Sequence, residues 1–236
     1  MSVYSPFYDP IRYNIEKRKL FRFNFPGLDE VQINYSQLHQ DMFVLCMLRG
    51  KREGHFLEIG GNEPILNSNS YLLEQAFDWR GVSLEISKQH VQRFNKLRRN
   101  TCLWRDATTA DYNSILTSWD FPQVIDYLSV DCEPPSNTFK SLLAIPHEKY
   151  RFRVITFEHD FTGAAAQNES EEMDVREKTR NFLHGLGYRL VVRNVSWLDR
   201  VIEDWWVDPQ HVPEEQVLPM LSPEQSHIDH IAYMYR

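Results

Sequence analysis

The sequence predicts a doubly wound α/β fold, a three-layer sandwich with helices on both faces of a mostly parallel sheet. Three observations carry this. Short apolar runs alternate with helix-length segments along most of the chain, the pattern of parallel strands joined by helical crossovers. The first run passes directly into Gly60-Gly61, a tight strand-to-helix turn. The final two runs follow each other across a short connection, and a hairpin needs antiparallel partners. Five strand–helix units plus that hairpin make a seven-stranded sheet whose last strand is antiparallel.

The elements follow in order. Residues 35–49 carry a helix pattern, with Ser36 as cap and Met42, Phe43, Cys46 and Leu48 as the apolar face. Strands are expected at 56–59, 81–85, 101–104, 124–130 and 153–157. Helices are expected at 70–77, 87–98, 112–116 and 137–144, with Ser68 or Asn69 capping the first, Ser87 opening the second and Pro146 stopping the last. After a polar loop, 171–186 reads as a helix ended by Gly185 or Gly187. Residues 188–195 and 200–207 form the closing hairpin. Three parts result: an arm or flap over 1–35, the main domain over 36–209, and a proline-rich tail over 210–236 that packs on it.

Composition bounds the function. The chain has 236 residues, 13% aromatic and 25% charged, ordinary for one globular domain. A net charge of −7 provides no field for drawing in nucleic acid, so no nucleic-acid partner is expected. The basic clusters at 17–22 and 96–99 read as solvated surface. Cys46, Cys102 and Cys132 lie in apolar runs without a CxxC pair, as expected of reduced thiols in a cytoplasmic protein. The N-terminal residues lack the apolar core of a signal peptide, and no run approaches the ~20 residues that cross a bilayer. A homo-oligomer is compatible with all of this.

Ligands of doubly wound sheets bind beyond the carboxyl ends of the strands. Those ends are acidic here: Glu58 before Gly60-Gly61-Asn62-Glu63, then Glu85, Asp106, Asp131-Cys132-Glu133 and Glu158-His159-Asp160. Glycines admit close backbone approach, and an acid ending the second strand can accept both ribose hydroxyls. No GxGxxG is present and Glu63 makes the turn acidic. That disfavours a diphosphate and suits an adenosyl cofactor bearing an amine and a sulfonium.

With these residues in view, the chain resembles the FkbM-like family of S-adenosylmethionine-dependent class I methyltransferases. YSQLHQDMFV resembles the family's entry helix, LEIGGNEPILNSNSYLLE its first motif, IDYLSVDCE its fourth-strand motif, VITFEHD its fifth, and IEDWWVDP its closing aromatic strand. The resemblance spans roughly 36–209 and implies a class I methyltransferase, Rossmann-like fold. It implies that Gly60, Gly61 and Asn62 approach the methionine part of S-adenosyl-L-methionine, and that Glu58 and Glu63 orient the turn and the amine. It further implies that Glu85 binds the ribose, that Asp106 and Ala107 sit at the adenine, and that Asp131 lies near the methyl group. Gln37, Gln40 and Asn69 are expected in the same wall. Pro64 and Pro134 stand where the family has glycine, and proline cannot take positive φ.

A hydroxyl acceptor must lose a proton to a positioned base. His159, beside Glu158 and Asp131, is the expected base, with those two carboxylates as catalytic partners. Asp131, Glu133 and His159 together would suit Mg²⁺ or Mn²⁺. Trp205 and Trp206 should face opposite sides of their strand, and one could form a platform for the acceptor. The resemblance implies O-methylation of a small-molecule or glycan acceptor, with a sugar hydroxyl preferred. The rivals are a catalytically inactive protein of the same fold and an RNA ribose methyltransferase.

Overall fold

The computed structural model describes residues 16–161, 169–197, 200–224 and 227–236. The N-terminal half of the expected arm, and the loop after His159-Asp160-Phe161, lie outside the described residues. The strands are β1 (His55–Ile59), β2 (Arg80–Glu85), β3 (Thr101–Trp104), β4 (Val124–Val130), β5 (Arg151–Glu158), β6 (Arg189–Trp197), β7 (Arg200–Val207) and β8 (Ile228–Asp229). They form one sheet in the order β3-β2-β1-β4-β5-β7-β6-β8. β1 to β5 pair in parallel, and β7 runs antiparallel to both β5 and β6.

Among the described residues the sheet has eight strands, not seven. The extra one comes from the tail: β8 pairs in parallel with β6 at Val195 and Ser196. Two residues are too few for alternation to betray a strand in sequence.

The helices are α1 (Gln40–Met47), α2 (Tyr71–Phe77), α3 (Lys88–Leu97), α4 (Tyr112–Ser118), α5 (Pro135–Ala144), α6 (Glu169–Gly185), α7 (Glu214–Val217) and α8 (His230–Met234). Side chains alternate across each strand, so among the described residues two large cores form, with a small third cluster of Val91, Phe94 and Cys102. One packs Phe56, Tyr127, Val154 and Trp205 against α1 and α2. The other packs Leu57, Leu128, Ile155 and Trp206 against α4, α5 and α6. Both tryptophans are fully buried, which removes them as a platform for an acceptor. They do face opposite sides, and Trp205 lies 4.7 Å from the Phe43 ring.

α1 is shorter than the periodicity suggested, and Ser36 does not cap it. The Asp41 carboxylate accepts the backbone N–H groups of Tyr35 and Ser36 and the Ser36 hydroxyl, while Gln40 Oε1 accepts the N–H of Leu38. Side chains that bind local backbone compete with helix, so the chain bends until His39, which is left-handed at φ 69°. Ser87 opens α3 as expected, its Oγ accepting from the His90 amide, whereas α5 starts two residues before the expected 137, with Pro135 in its first turn. Phe21 bridges to Tyr235, and the Arg22 amide donates to the Met234 carbonyl. Among the described residues no helix is long and apolar enough to cross a membrane.

Candidate active site

The strand order reverses between β1 and β4, which is where ligands enter such sheets. A cleft of about 270 Å³ opens there. Gly60 supplies its floor. Its φ is +87°, and a Cβ on it would stand 1.6 Å from the Asp131 carbonyl oxygen, so only glycine fits. Gly61 has another role: a Cβ there would crowd Ser83 and Cys102, so it lets the turn pack on β2 and β3 and does not line the cleft.

The expected residues divide. Gly60, Asn62, Glu85, Asp106, Ala107, Asp131 and Glu133 line the cleft. Glu85 accepts the amides of Asn62 at 2.9 Å and Ser87 at 2.6 Å, which fixes its carboxylate beside the opening. Asp106 is exposed and holds the Thr108 hydroxyl and amide, bonds that lower its pKa. His90, Arg105 and Asn137 also line the cleft. They sit just past the strand ends, in first helical turns and loops, and carry no motif of their own.

Gln37, Gln40, Glu58, Glu63 and Asn69 lie outside that lining. Glu63 faces the surface and pairs with Arg93 at 2.7 Å. Glu58 is buried under the turn, accepting the Ser70 and Ser83 hydroxyls; burial raises its pKa. Asn69 donates to Ser129 Oγ at 3.0 Å. Pro64 is accommodated because the positive φ values fall at Asn62 and Asn67 instead. Its carbonyl accepts from Arg98, which also binds Ser68 and Ser70 and pairs with Glu74 at 2.8 Å. Arg98 is thus a buried anchor of the turn, a correction to the expectation that 96–99 is solvated surface. Nothing near it in sequence announces this, because its partners are 24 or more residues away.

Beyond the cleft the strand ends form an acidic row. Glu158 and Glu203 are direct partners across β5 and β7, and Val130 pairs with Phe157. Asp131, Glu158 and Glu203 therefore stand side by side on the α1 face. Asp131 and Glu158 share a hydrogen bond, and both are raised: Asp131 by burial to about 6, Glu158 further by burial and by Asp131. Burial pushes Glu203 up to about 8, against hydrogen bonds from Trp205 and Gln40.

His159 does not join them. It is fully buried and its Nε2 lies 3.7 Å from Asp204, on the opposite face. Burial lowers its pKa. The expected catalytic and metal-ligand roles of His159 are corrected accordingly. Among the described residues no group of three or more His, Cys, Asp or Glu could hold a metal ion, so Asp131, Glu133 and His159 do not fit Mg²⁺ or Mn²⁺.

No protein-family model matches the chain, and no curated protein matches it. Solved structures do. A Klebsiella pneumoniae protein assigned as an O-methyltransferase is 13% identical, with TM-score 0.51, covering 82% of this chain and 85% of its own. An O-methyltransferase from Bacillus cereus in complex with SAH is 15% identical at TM-score 0.47, covering 74% and 82%. The N-methyltransferase NodS from Bradyrhizobium japonicum WM9, in complex with S-adenosyl-L-homocysteine, is 10% identical at TM-score 0.44, covering 79% and 89%. The first of these likenesses defines the class of fold: methyltransferase-like α/β, with a mixed sheet.

Proposed function

We propose that the chain is an S-adenosylmethionine-dependent O-methyltransferase, FkbM-like, with a sugar or glycan hydroxyl as acceptor. One observation carries the reading: Gly60, Glu85 and Asp131 meet in one cleft at the point where the strand order reverses. The likeness of the fold to solved methyltransferase structures supports it. The donor set fits an adenosyl cofactor, which supplies the methyl group when bound. Glu85, already fixed by two amides, has lone pairs left for ribose hydroxyls. Asp106 and Ala107 border the adenine end.

The Asp131–Glu158 pair holds one proton near neutrality, because two adjacent buried carboxylates cannot both ionise cheaply. Glu158 keeps that proton, and Asp131 is the ionised member that accepts the proton of the acceptor hydroxyl. Transfer should therefore rise with pH through about 6, the value to which Asp131 is raised.

Isothermal titration with S-adenosylmethionine and S-adenosylhomocysteine tests this. The parent protein should bind both. Gly60→Val should bind neither, and Glu85→Gln, whose fold is not at risk from a backbone clash, should weaken both about tenfold, or ~1.4 kcal/mol. Absence of binding by the parent protein overturns the reading.

A further inference from the structure

A larger cavity, of about 870 Å³, opens at the opposite end of the sheet, beside the N-terminal ends of β1 and β2. Its size is that of a small-molecule site, and the expected activity makes no use of it. Its framework is rigid. The Arg80 amide donates to the Gly54 carbonyl and the Glu53 amide to the Phe77 carbonyl. The Gly81 amide donates to Asn100 Oδ1, and the His55 ring packs edge-on to Phe121.

Part of the polar lining is spent: Arg99 pairs with Asp78 at 3.5 Å and donates to the Glu74 carbonyl, and Asn100 donates to Glu74; the rest is not. The indole of Trp119 is 41% exposed at the end of α4, and its N–H has no partner among the described residues. The same holds for the guanidinium of Arg80, the ring nitrogens of His55 and the carboxylates of Glu53 and Asp120. Glu53, Asp78 and Asp120 are all left-handed, at φ 55°, 58° and 52°, a conformation uncommon for non-glycine residues and gathered at sites where loop geometry is over-determined.

These groups select a chemistry. Arg99 and Asp78 neutralise each other, leaving Arg80 against the carboxylates of Glu53 and Asp120, so a phosphate chain would be repelled more than held. The part-exposed Trp119 indole offers apolar contact to a flat, amphipathic body. Carboxylates accept hydroxyl protons, while guanidinium and indole N–H donate to hydroxyl oxygens. A ring that is apolar on its faces and hydroxylated at its rim satisfies both. We propose that this cavity is a second binding site, for a saccharide, with Trp119 as platform and Arg80, Glu53 and Asp120 as hydroxyl partners. The inference does not depend on methyl transfer at the other end.

Saturation-transfer NMR on the full chain tests it, using hexasaccharides of glucose, N-acetylglucosamine, mannose and galactose, with AMP as the alternative ligand. At least one hexasaccharide should take up saturation. Trp119→Ala and Arg80→Ala should each weaken that oligomer at least about tenfold, with thermal unfolding and S-adenosylhomocysteine titration unchanged. Arg80 lies on the surface, so its variant decides the matter if Trp119→Ala does not fold. Failure of every hexasaccharide to bind, binding that survives substitution, or binding of AMP alone overturns the proposal.

Discussion

Glu203 and Asp204 are consecutive residues of β7, both sealed from water, yet they are driven in opposite directions. Glu203 faces α1 and is raised to about 8. Asp204 faces α6 and is held well below the usual carboxylate range. Burial acts on both in the same sense. The difference lies in what each face offers. Glu203 meets the neutral donors Trp205 and Gln40, and then Asp131 and Glu158. Asp204 meets first the His159 ring, 3.7 Å away, then a bidentate Arg180 at 2.8 and 3.0 Å and the Asn194 amide at 2.8 Å. A buried acid is therefore neutral or charged according to its partners, not its depth. One face of the sheet stores protons beside the cleft, and the other stores a charge pair that ties α6 to the sheet.

The largest expected effect comes from breaking the charged face. Arg180→Ala leaves the Asp204 charge with only the His159 ring and the Asn194 amide, and losing one partner of a buried pair costs about 3–5 kcal/mol. Urea unfolding at neutral pH should show it; a loss near that of an exposed ion pair would mean that Asp204 reaches water.

Glu203→Gln should act differently. The folded parent keeps its proton up to about pH 8, whereas the unfolded chain ionises near ~4.3. The native state then binds more protons, so the parent loses stability as pH rises through that window, by at most about 1.4 kcal/mol per unit. The variant, always neutral, should match the parent near pH 4 and exceed it at pH 8. A parallel pair of melting-temperature profiles would show Glu203 to be ionised throughout.

Asp204 should impose the opposite slope. Its lowered pKa contributes stability that is present above the ordinary carboxylate range and is lost as pH falls below it. Asp204→Asn should flatten the acid limb of the unfolding profile and leave the limb between pH 5 and 8 in place. The smallest effect belongs to a neutral donor on the proton-storing face. Tyr127 Oη and Thr156 Oγ1 lie 2.7 Å apart, and Tyr127→Phe should cost about 1 kcal/mol in chemical unfolding.

Much of this architecture is legible in the sequence. β1, β4 and β5 are central strands with core on both faces, and such strands read as continuous apolar runs. Because doubly wound sheets bind ligands at one end, the residues after those runs could be named as the site, and Gly60, Glu85 and Asp131 do meet there. β8 was hidden by its two-residue length, and α1 was overstated because Asp41 and Gln40 bind the backbone before it. Arg98 sits in a basic run that looks solvated, yet it is the buried anchor of the turn carrying Pro64.

Local pattern, then, was sufficient for most strands, helices and turns and for the end of the sheet where chemistry belongs, because alternation and glycine act over a few residues. The charge state of each acid was settled only in the folded chain. Arg180 reaches Asp204 across 24 residues, and Arg98 reaches Glu74 across 24. Desolvation and Coulomb attraction depend on distance in space, and that distance is set by packing, not by position along the chain.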